Sequence, residues 1–139
     1  MLRLHQLCLD GKLAEVRSSL ARGEDVNSKN SIGTTALIIA VGRKHNSIVK
    51  LLLDQPAVDV NMKNDHGRTA LHYAAVFNNA EGARMLLLHK DFNSSNVTDD
   101  FGTTALMDAV KCRKEEVLRE LVEHQCLSLD VGHLEDDQR

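Results

Sequence analysis

Residues 67–75 read GRTALHYAA, and they set a histidine, His72, beside the chain's one tyrosine, Tyr73. Such a pair is either the polar centre of an active site or one copy of a structural word. The rest of the chain decides. GTTALIIAV occupies 33–41 and GTTALMDAV occupies 102–110. Gly33, Gly67 and Gly102 stand 34 and 35 residues apart (67−33, 102−67). Thr35, Thr69 and Thr104 keep that spacing, as do Leu37, Leu71 and Leu106, and Ala40, Ala74 and Ala109. Asn27, Asn61 and Asn96 each precede the glycine by 6 residues. Self-similarity at a period of a few tens of residues marks a solenoid or array, and it governs how every other motif is read.

Each copy has a physical logic. A glycine after a polar run suits a tight turn in which positive φ is tolerated. The threonines are good helix N-caps. Leu37 and Ala40, Leu71 and Ala74, and Leu106 and Ala109 lie 3 apart, which puts each pair on one helix face. The small alanines allow a neighbouring backbone to come close. A short break follows at Lys44–His45, Asn78–Asn79 and Arg113–Lys114. Second apolar runs begin after it: IVKLLL at 48–53, ARMLLL at 83–88 and VLRELV at 117–122. Each copy is predicted to be turn, short helix, break and longer helix, and neither helix is long enough to be stable alone in water.

A weaker copy opens the chain. Leu4 stands 33 before Leu37, Gly11 falls at the break, and LAEVRSSL at 13–20 supplies a second helix. GEDVN at 23–27 leads into the next turn. The count is four helical pairs.

The words TTALIIA, TALHYA and TTALMDA, with DVN at 25–27 and 59–61, resemble the ankyrin repeat family over roughly residues 2–130. The resemblance implies an all-α repeat solenoid of stacked helix-turn-helix units joined by β-turn or hairpin loops. The expected organisation is a single domain over 1–139, with repeats near 2–29, 30–63, 64–98 and 99–130 and a tail at 131–139. Ala36, Ala70 and Ala105 replace the family's proline, losing its preset φ. Only Gly11 keeps the family's glycine at the break, where Lys44, Asn78 and Arg113 stand in the other copies. If these are left-handed, as in the family, each non-glycine costs about 1 kcal/mol, with Asn78 costing least. Extra residues fall around Gln55–Pro56 and Asn93–Ser95.

The resemblance also answers the opening question. It makes His72 a residue that braces the start of the first helix, three after Thr69, rather than a catalytic one. Ile38 and Met107 hold the equivalent places and cannot make that bond. Other motifs point the same way. His124 and Cys126 offer two metal ligands where zinc needs about four, and no second pair has suitable spacing. Asn93-Ser94-Ser95 and Asn96-Val97-Thr98 fit the glycosylation pattern but read as turn-rich loop. No GxGxxG, GxxxxGK or GxSxG is present. Neither a cofactor nor a metal is expected.

Composition bounds the partners. A net charge of −3 gives no reason to expect nucleic acid or an anionic membrane. No apolar run reaches the length of a membrane span, and LRLHQLCL is too short and polar for a signal peptide. Cys8, Cys112 and Cys126 are odd in number and lack CxxC pairing, so a reducing compartment, cytoplasmic or nuclear, is the simplest home. Glu135-Asp136-Asp137 reads as a solvated acidic tail.

Stacked repeats make an extended concave surface from turn tips and first helices. In the ankyrin family that surface binds proteins. The expected function is therefore non-catalytic protein binding, as scaffold, adaptor or stoichiometric inhibitor, by a monomer; a structural spacer within a longer array is the alternative. An enzyme centred on His72, Asp108 or Cys112 would need a deep pocket, where a stacked array offers a shallow groove. Aligning the copies on the family pattern puts Ile32, Thr34, Asp65, His66, Arg68, Asp100, Phe101 and Thr103 at turn tips. It puts Gly42 and Arg43, Val76 and Phe77, and Lys111 and Cys112 at first-helix ends, with Leu9 and Asp10 in the first copy. Ile32, Phe77 and Phe101 are large apolar side chains at positions the fold does not need apolar, and they are the expected anchors, with Arg43 and Arg68 nearby.

The resemblance implies one modification. The asparagine ending the D-V-N word is, across the family, a frequent substrate of an asparagine hydroxylase. Asn61 fits its context best, with Leu53 8 before and Asp59 2 before. The Pro56 insertion is expected to ease local opening there. The end repeats each have one bare face, and repeat one is expected to be the less sealed, with fraying at residues 1–20. Repeat four is expected to be partly sealed by Lys114, Glu115, Glu116, Arg119, Glu120 and Glu123 in its second helix.

Overall fold

The three turn words build one structure three times. In a computed structural model, which describes residues 3–124, an Asn or Asp three residues before each glycine organises the turn. The Oδ1 atoms of Asn30, Asn64 and Asp99 each accept two backbone N–H groups, two and four residues on, at 2.9–3.1 Å. The glycine N–H then donates back to the carbonyl of that same residue at 3.0 Å in all three copies. Asx side chains commonly mimic backbone in this way.

Helices follow at once. They are α1 Arg3–Asp10, α2 Leu13–Ala21, α3 Ala36–Gly42, α4 Asn46–Leu53, α5 Ala70–Val76, α6 Ala80–Leu88 and α7 Ala105–Lys111, with α8 covering 115–124 of the described residues. Thr35 and Thr104 cap α3 and α7, their hydroxyls accepting the N–H of Ile38 and Met107. At α5 the cap is shared with His72, whose Nδ1 accepts the Thr69 N–H at 3.1 Å. Ala36, Ala70 and Ala105, in the family's proline place, are buried at the first helical position. The breaks are left-handed: φ is +74° at Gly11, +60° at Lys44 and +56° at Asn78 and Arg113. Three side chains therefore sit where an L-residue is strained.

The helices form two layers. First helices stack in the order α1, α3, α5, α7; α1, α3 and α5 are each backed by their own second helix, and α2, α4 and α6 stack behind. Leu4, Leu37 and Leu71 fill the first layer, and Ala40, Ala74 and Ala109 let it close. Leu52, Leu86 and Leu121 fill the second. Among the described residues the strand content is a single antiparallel bridge, Lys29 to Thr35, so the loops are tight turns rather than extended hairpins.

Side chains sew neighbouring repeats together. Asn27 Nδ2 donates to the Ala57 carbonyl at 2.7 Å, and its Oδ1 accepts the Asp59 N–H at 2.8 Å. Asn61 does the same one repeat on, donating to Asp91 and accepting from Asn93 and the Ser94 hydroxyl. Asn79 and Asn46 exchange amide hydrogen bonds at 2.8 and 3.0 Å. His5 Nε2 donates to the Thr34 carbonyl at 2.8 Å, and His72 Nε2 to that of Thr103 at 2.8 Å. Nε2 is the donor because its partner is a carbonyl.

Two expectations are reversed. The first helix pair is the better sealed: the exposed side chains of α1 are Arg3, Gln6 and Asp10, and no large apolar side chain is exposed between residues 3 and 31. The fourth pair is the open one, with Met107, Val110 and Val122 exposed. The loop before Asn61 is also held rather than loose, because Asn27 bonds Ala57 and Asp59 within it, and Asn61 itself is tied to the following repeat. The expected limit of repeat four at 130, the tail at 131–139 and the acidic run 135–137 lie outside the described residues.

Candidate partner-binding surface

Where the left-handed break ends α3, the chain turns away and leaves the helix end facing a hollow. That hollow is a concave groove of about 780 Å³ running from the first repeat to the third. Leu9, Ile32, Ile39, Tyr73 and Phe77 give it an apolar floor, and Arg43 and Lys44 stand on its rim. Tyr73 and Phe77 stack with ring centroids 6.2 Å apart and planes 17° apart. Tyr73 is fixed from behind: Asn64 Nδ2 donates to its hydroxyl at 2.9 Å, and the Arg68 guanidinium lies 5.7 Å from its ring centroid.

Of the residues expected to touch a partner, the groove brings together Ile32, Arg43 and Phe77. Asp65, His66 and Asp100 are exposed at the turn tips, Lys111 is exposed at the end of α7, and Val76 and Thr103 are half-buried. Phe101 is 87% exposed but stands apart from the groove lining.

Thr34 is a correction. Expected at a turn tip, it is only 6% exposed, because His5 of the preceding repeat packs over it and takes its carbonyl. Although Thr34 borders the groove, it offers little side chain to a partner. Arg68 is a second case. Its guanidinium is occupied, with Nη1 2.6 Å from Asp99 and Nη2 2.8 Å from Asp108. Burial pushes the Asp99 carboxyl up, but the N–H donors of Thr103 and Phe101 and the charge of Arg68 outweigh it and hold the carboxyl below its ordinary value. Arg68 thus ties repeat three to repeat four and presents little free charge, which leaves Arg43 and Lys44 as the cations of the groove.

Leu9 and Gly42, expected at first-helix ends, also line the groove, whereas sequence reading missed Ile39, Tyr73 and Lys44. Tyr73, Ile39 and Asp108 occupy one register place, 34 and 35 residues apart, and reading that column would have found them. It also missed the Asn30, Asn64 and Asp99 turn acceptors, whose signal is an Asn or Asp three before each glycine.

The remaining nucleophiles do not gather. Cys8 is buried, and burial pushes its thiol up to about 12, which makes it inert. Cys112 is exposed at the end of α7. Among the described residues no three His, Cys, Asp or Glu side chains converge as a metal site would need, and no helix is long and apolar enough to cross a membrane.

Comparison with known proteins agrees with the geometry. A family model of ankyrin repeats, in three copies, matches residues 4–96. The chain is similar to transient receptor potential cation channel subfamily A member 1 of Homo sapiens, 33% identical over 84 residues, which are 60% of this chain and 8% of that protein. It is similar to the putative ankyrin repeat protein YahD of Escherichia coli, 33% identical over 118 residues, 83% of this chain and 59% of that one. It is similar to the E3 ubiquitin-protein ligase XBAT33 of Arabidopsis thaliana, 33% identical over 119 residues, 86% of this chain and 23% of that one. The chain spans at most 8% of the length of the first curated relatives it matches. Repeat four lies beyond the matched copies, yet its turn, cap and left-handed break repeat those before it. On matched sequence and repeated architecture together, the chain belongs to the ankyrin repeat family.

Proposed function

We propose that this chain is a non-catalytic protein-binding module, a scaffold, adaptor or stoichiometric inhibitor, whose partner seats a large apolar side chain in the groove of Leu9, Ile32, Ile39, Tyr73 and Phe77. The observation that carries this is the convergence of Ile32 and Phe77, exposed and from different repeats, on one hollow. Interfaces concentrate their energy in such aromatic and aliphatic anchors. Arg43 and Lys44 on the rim favour a partner carboxylate beside the anchor, because no ion pair is formed by either among the described residues. The module works as a monomer in a reducing compartment, cytoplasmic or nuclear.

The test is affinity capture from a native lysate, with the partner identified by mass spectrometry and its affinity measured against Phe77→Ala. Unchanged affinity with an intact fold excludes the groove.

Asn61 is the modification candidate within this reading, on the strength of its Leu53 and Asp59 context. Its side chain must leave the bonds to Asp91, Asn93 and Ser94 to be reached. Incubation with an asparagine hydroxylase and peptide mass analysis tests it. A gain of one oxygen at Asn27 or Asn96, with none at Asn61, removes the assignment.

A further inference from the structure

Each turn acceptor carries two polar head atoms, and in all three turns Oδ1 is spent on two backbone N–H groups. The second head atom fares differently from turn to turn. In repeat three Asn64 Nδ2 donates to the Tyr73 hydroxyl at 2.9 Å. In repeat four Asp99 Oδ2 accepts from Arg68 Nη1 at 2.6 Å. In repeat two Asn30 Nδ2 has no acceptor among the described residues. The residue in the Tyr73 place there is Ile39, 34 earlier (73−39), and it has no polar side-chain atom. Asn30 is half-buried and lines the groove together with Ile32 and Ile39. Thr34, whose N–H Asn30 holds, borders the groove too, and its buried hydroxyl also lacks a partner among the described residues.

Water satisfies an amide on an open groove. A partner that covers the groove displaces that water, and a covered donor without an acceptor weakens binding. A well-matched occupant therefore brings its own acceptor to Asn30. Position separates this acceptor from the carboxylate drawn to the rim. Arg43 and Lys44 follow α3, whereas Asn30 precedes its cap, Thr35, and the 7 residues of helix between them span about 10 Å. Repeat three shows which group fits the amide end. There an aromatic ring lies in the groove, stacked on Phe77, and its hydroxyl meets the turn amide.

We propose that the partner's anchor is a tyrosine, its ring resting on Ile39 and its hydroxyl accepting from Asn30 Nδ2, as the hydroxyl of Tyr73 accepts from Asn64. The proposal rests on the partner-binding reading of this groove and names the side chain that enters it. A phenylalanine in the same seat would cover the amide and leave it unpaired, so the groove discriminates by one oxygen.

The test titrates N-acetyl-tyrosine amide and N-acetyl-phenylalanine amide into the nitrogen-labelled full chain, with the Asn30 side-chain amide and the backbone amides of Ile32 and Phe77 followed by NMR. The tyrosine probe should bind about tenfold more tightly and should move the Asn30 side-chain signals, which the phenylalanine probe should not. Equal affinities, with Ile32 and Phe77 shifted and the Asn30 side chain still, would overturn the tyrosine assignment and leave the groove as the binding surface. Equal shifts of the Asn30 side chain by both probes would give the amide to a backbone carbonyl and also overturn it. No shift at Ile32 or Phe77 with either probe would overturn the groove itself. A second arm needs no ligand. Ile39→Tyr supplies the hydroxyl within the chain, so it should move the Asn30 side-chain signals relative to Ile39→Phe and should melt a few degrees higher. Indistinguishable Asn30 signals in the two variants would show that a ring seated there cannot reach the amide, and would overturn the proposal.

Discussion

His72 Nε2 donates to the carbonyl oxygen of Thr103 over 2.8 Å, so a first-helix residue of repeat three holds the turn of repeat four. The same ring accepts the Thr69 N–H through Nδ1, which leaves the imidazole satisfied on both sides and buried. His72→Ala strands both partners, and a buried group left unpaired costs about 1–3 kcal/mol. We expect a loss of about 2 kcal/mol in urea unfolding. Met107→Ala, at the equivalent but exposed place, should stay within about 0.5 kcal/mol. Equal losses for the two would remove this account.

Arg68 neutralises two largely buried carboxylates, Asp99 and Asp108, from a half-exposed position. Arg68→Ala should cost about 2–3 kcal/mol, since removal of one partner leaves buried charge uncompensated. The Arg84–Glu120 pair is a contrast, because Arg84 lies 57% exposed. Its removal should be near neutral, as exposed pairs generally are. Denaturant midpoints of the two variants, compared at unchanged slope, decide the order.

The depressed Asp99 carboxyl gives a direction in pH. The fold favours the ionised form, so its contribution is complete above the unfolded value of about 4 and is lost as pH falls below it. The melting temperature should therefore fall below about pH 4, and fall less steeply in Asp99→Asn. Identical slopes would show that other carboxylates carry the acid sensitivity.

Lys44 and Arg113 hold positive φ, where glycine is unstrained. Arg113→Gly should stabilise by about 0.5–1 kcal/mol, the relief of left-handed strain exceeding the added freedom of the unfolded chain. Arg113 is the cleaner site, since Lys44 also borders the groove. A destabilised Arg113→Gly would mean that its side chain contributes more than its backbone costs.

Partner affinity should fall at least about tenfold in Phe77→Ala and in Ile32→Ala, as anchor truncations do. Phe101→Ala, outside the groove, should matter less. A stronger effect at Phe101 than at Phe77 would move the binding site to the turn tips.

The repeat, its caps and its breaks were legible in sequence because each is set within a few residues: a threonine caps the next turn, and the three breaks fall at the same register place. What stayed hidden depends on contacts from other repeats. Thr34 looked exposed because nothing local shows that His5, 29 residues earlier, lies over it. Arg68 looked like a free interface arginine because its carboxylates lie 31 and 40 residues on. Pro56 suggested a loose loop, but the bonds that hold Asn61 come from residues 30–33 positions away. Capping is written within a repeat; burial and charge pairing are decided between repeats.

The contrast between the polar helix α1 and the apolar outer side of α7 gives the molecule a polarity in time. In a linear array each unit is held only by its neighbours, so loss of structure starts where a neighbour is missing and moves inward. Here the exposed side chains of α1 are polar while Met107, Val110 and Val122 leave an apolar face on the fourth pair, so heat or denaturant should unzip the chain from α8 backward. The groove, made by repeats one to three, would then outlast the first step, and a chain that has already lost its last repeat would still hold its partner.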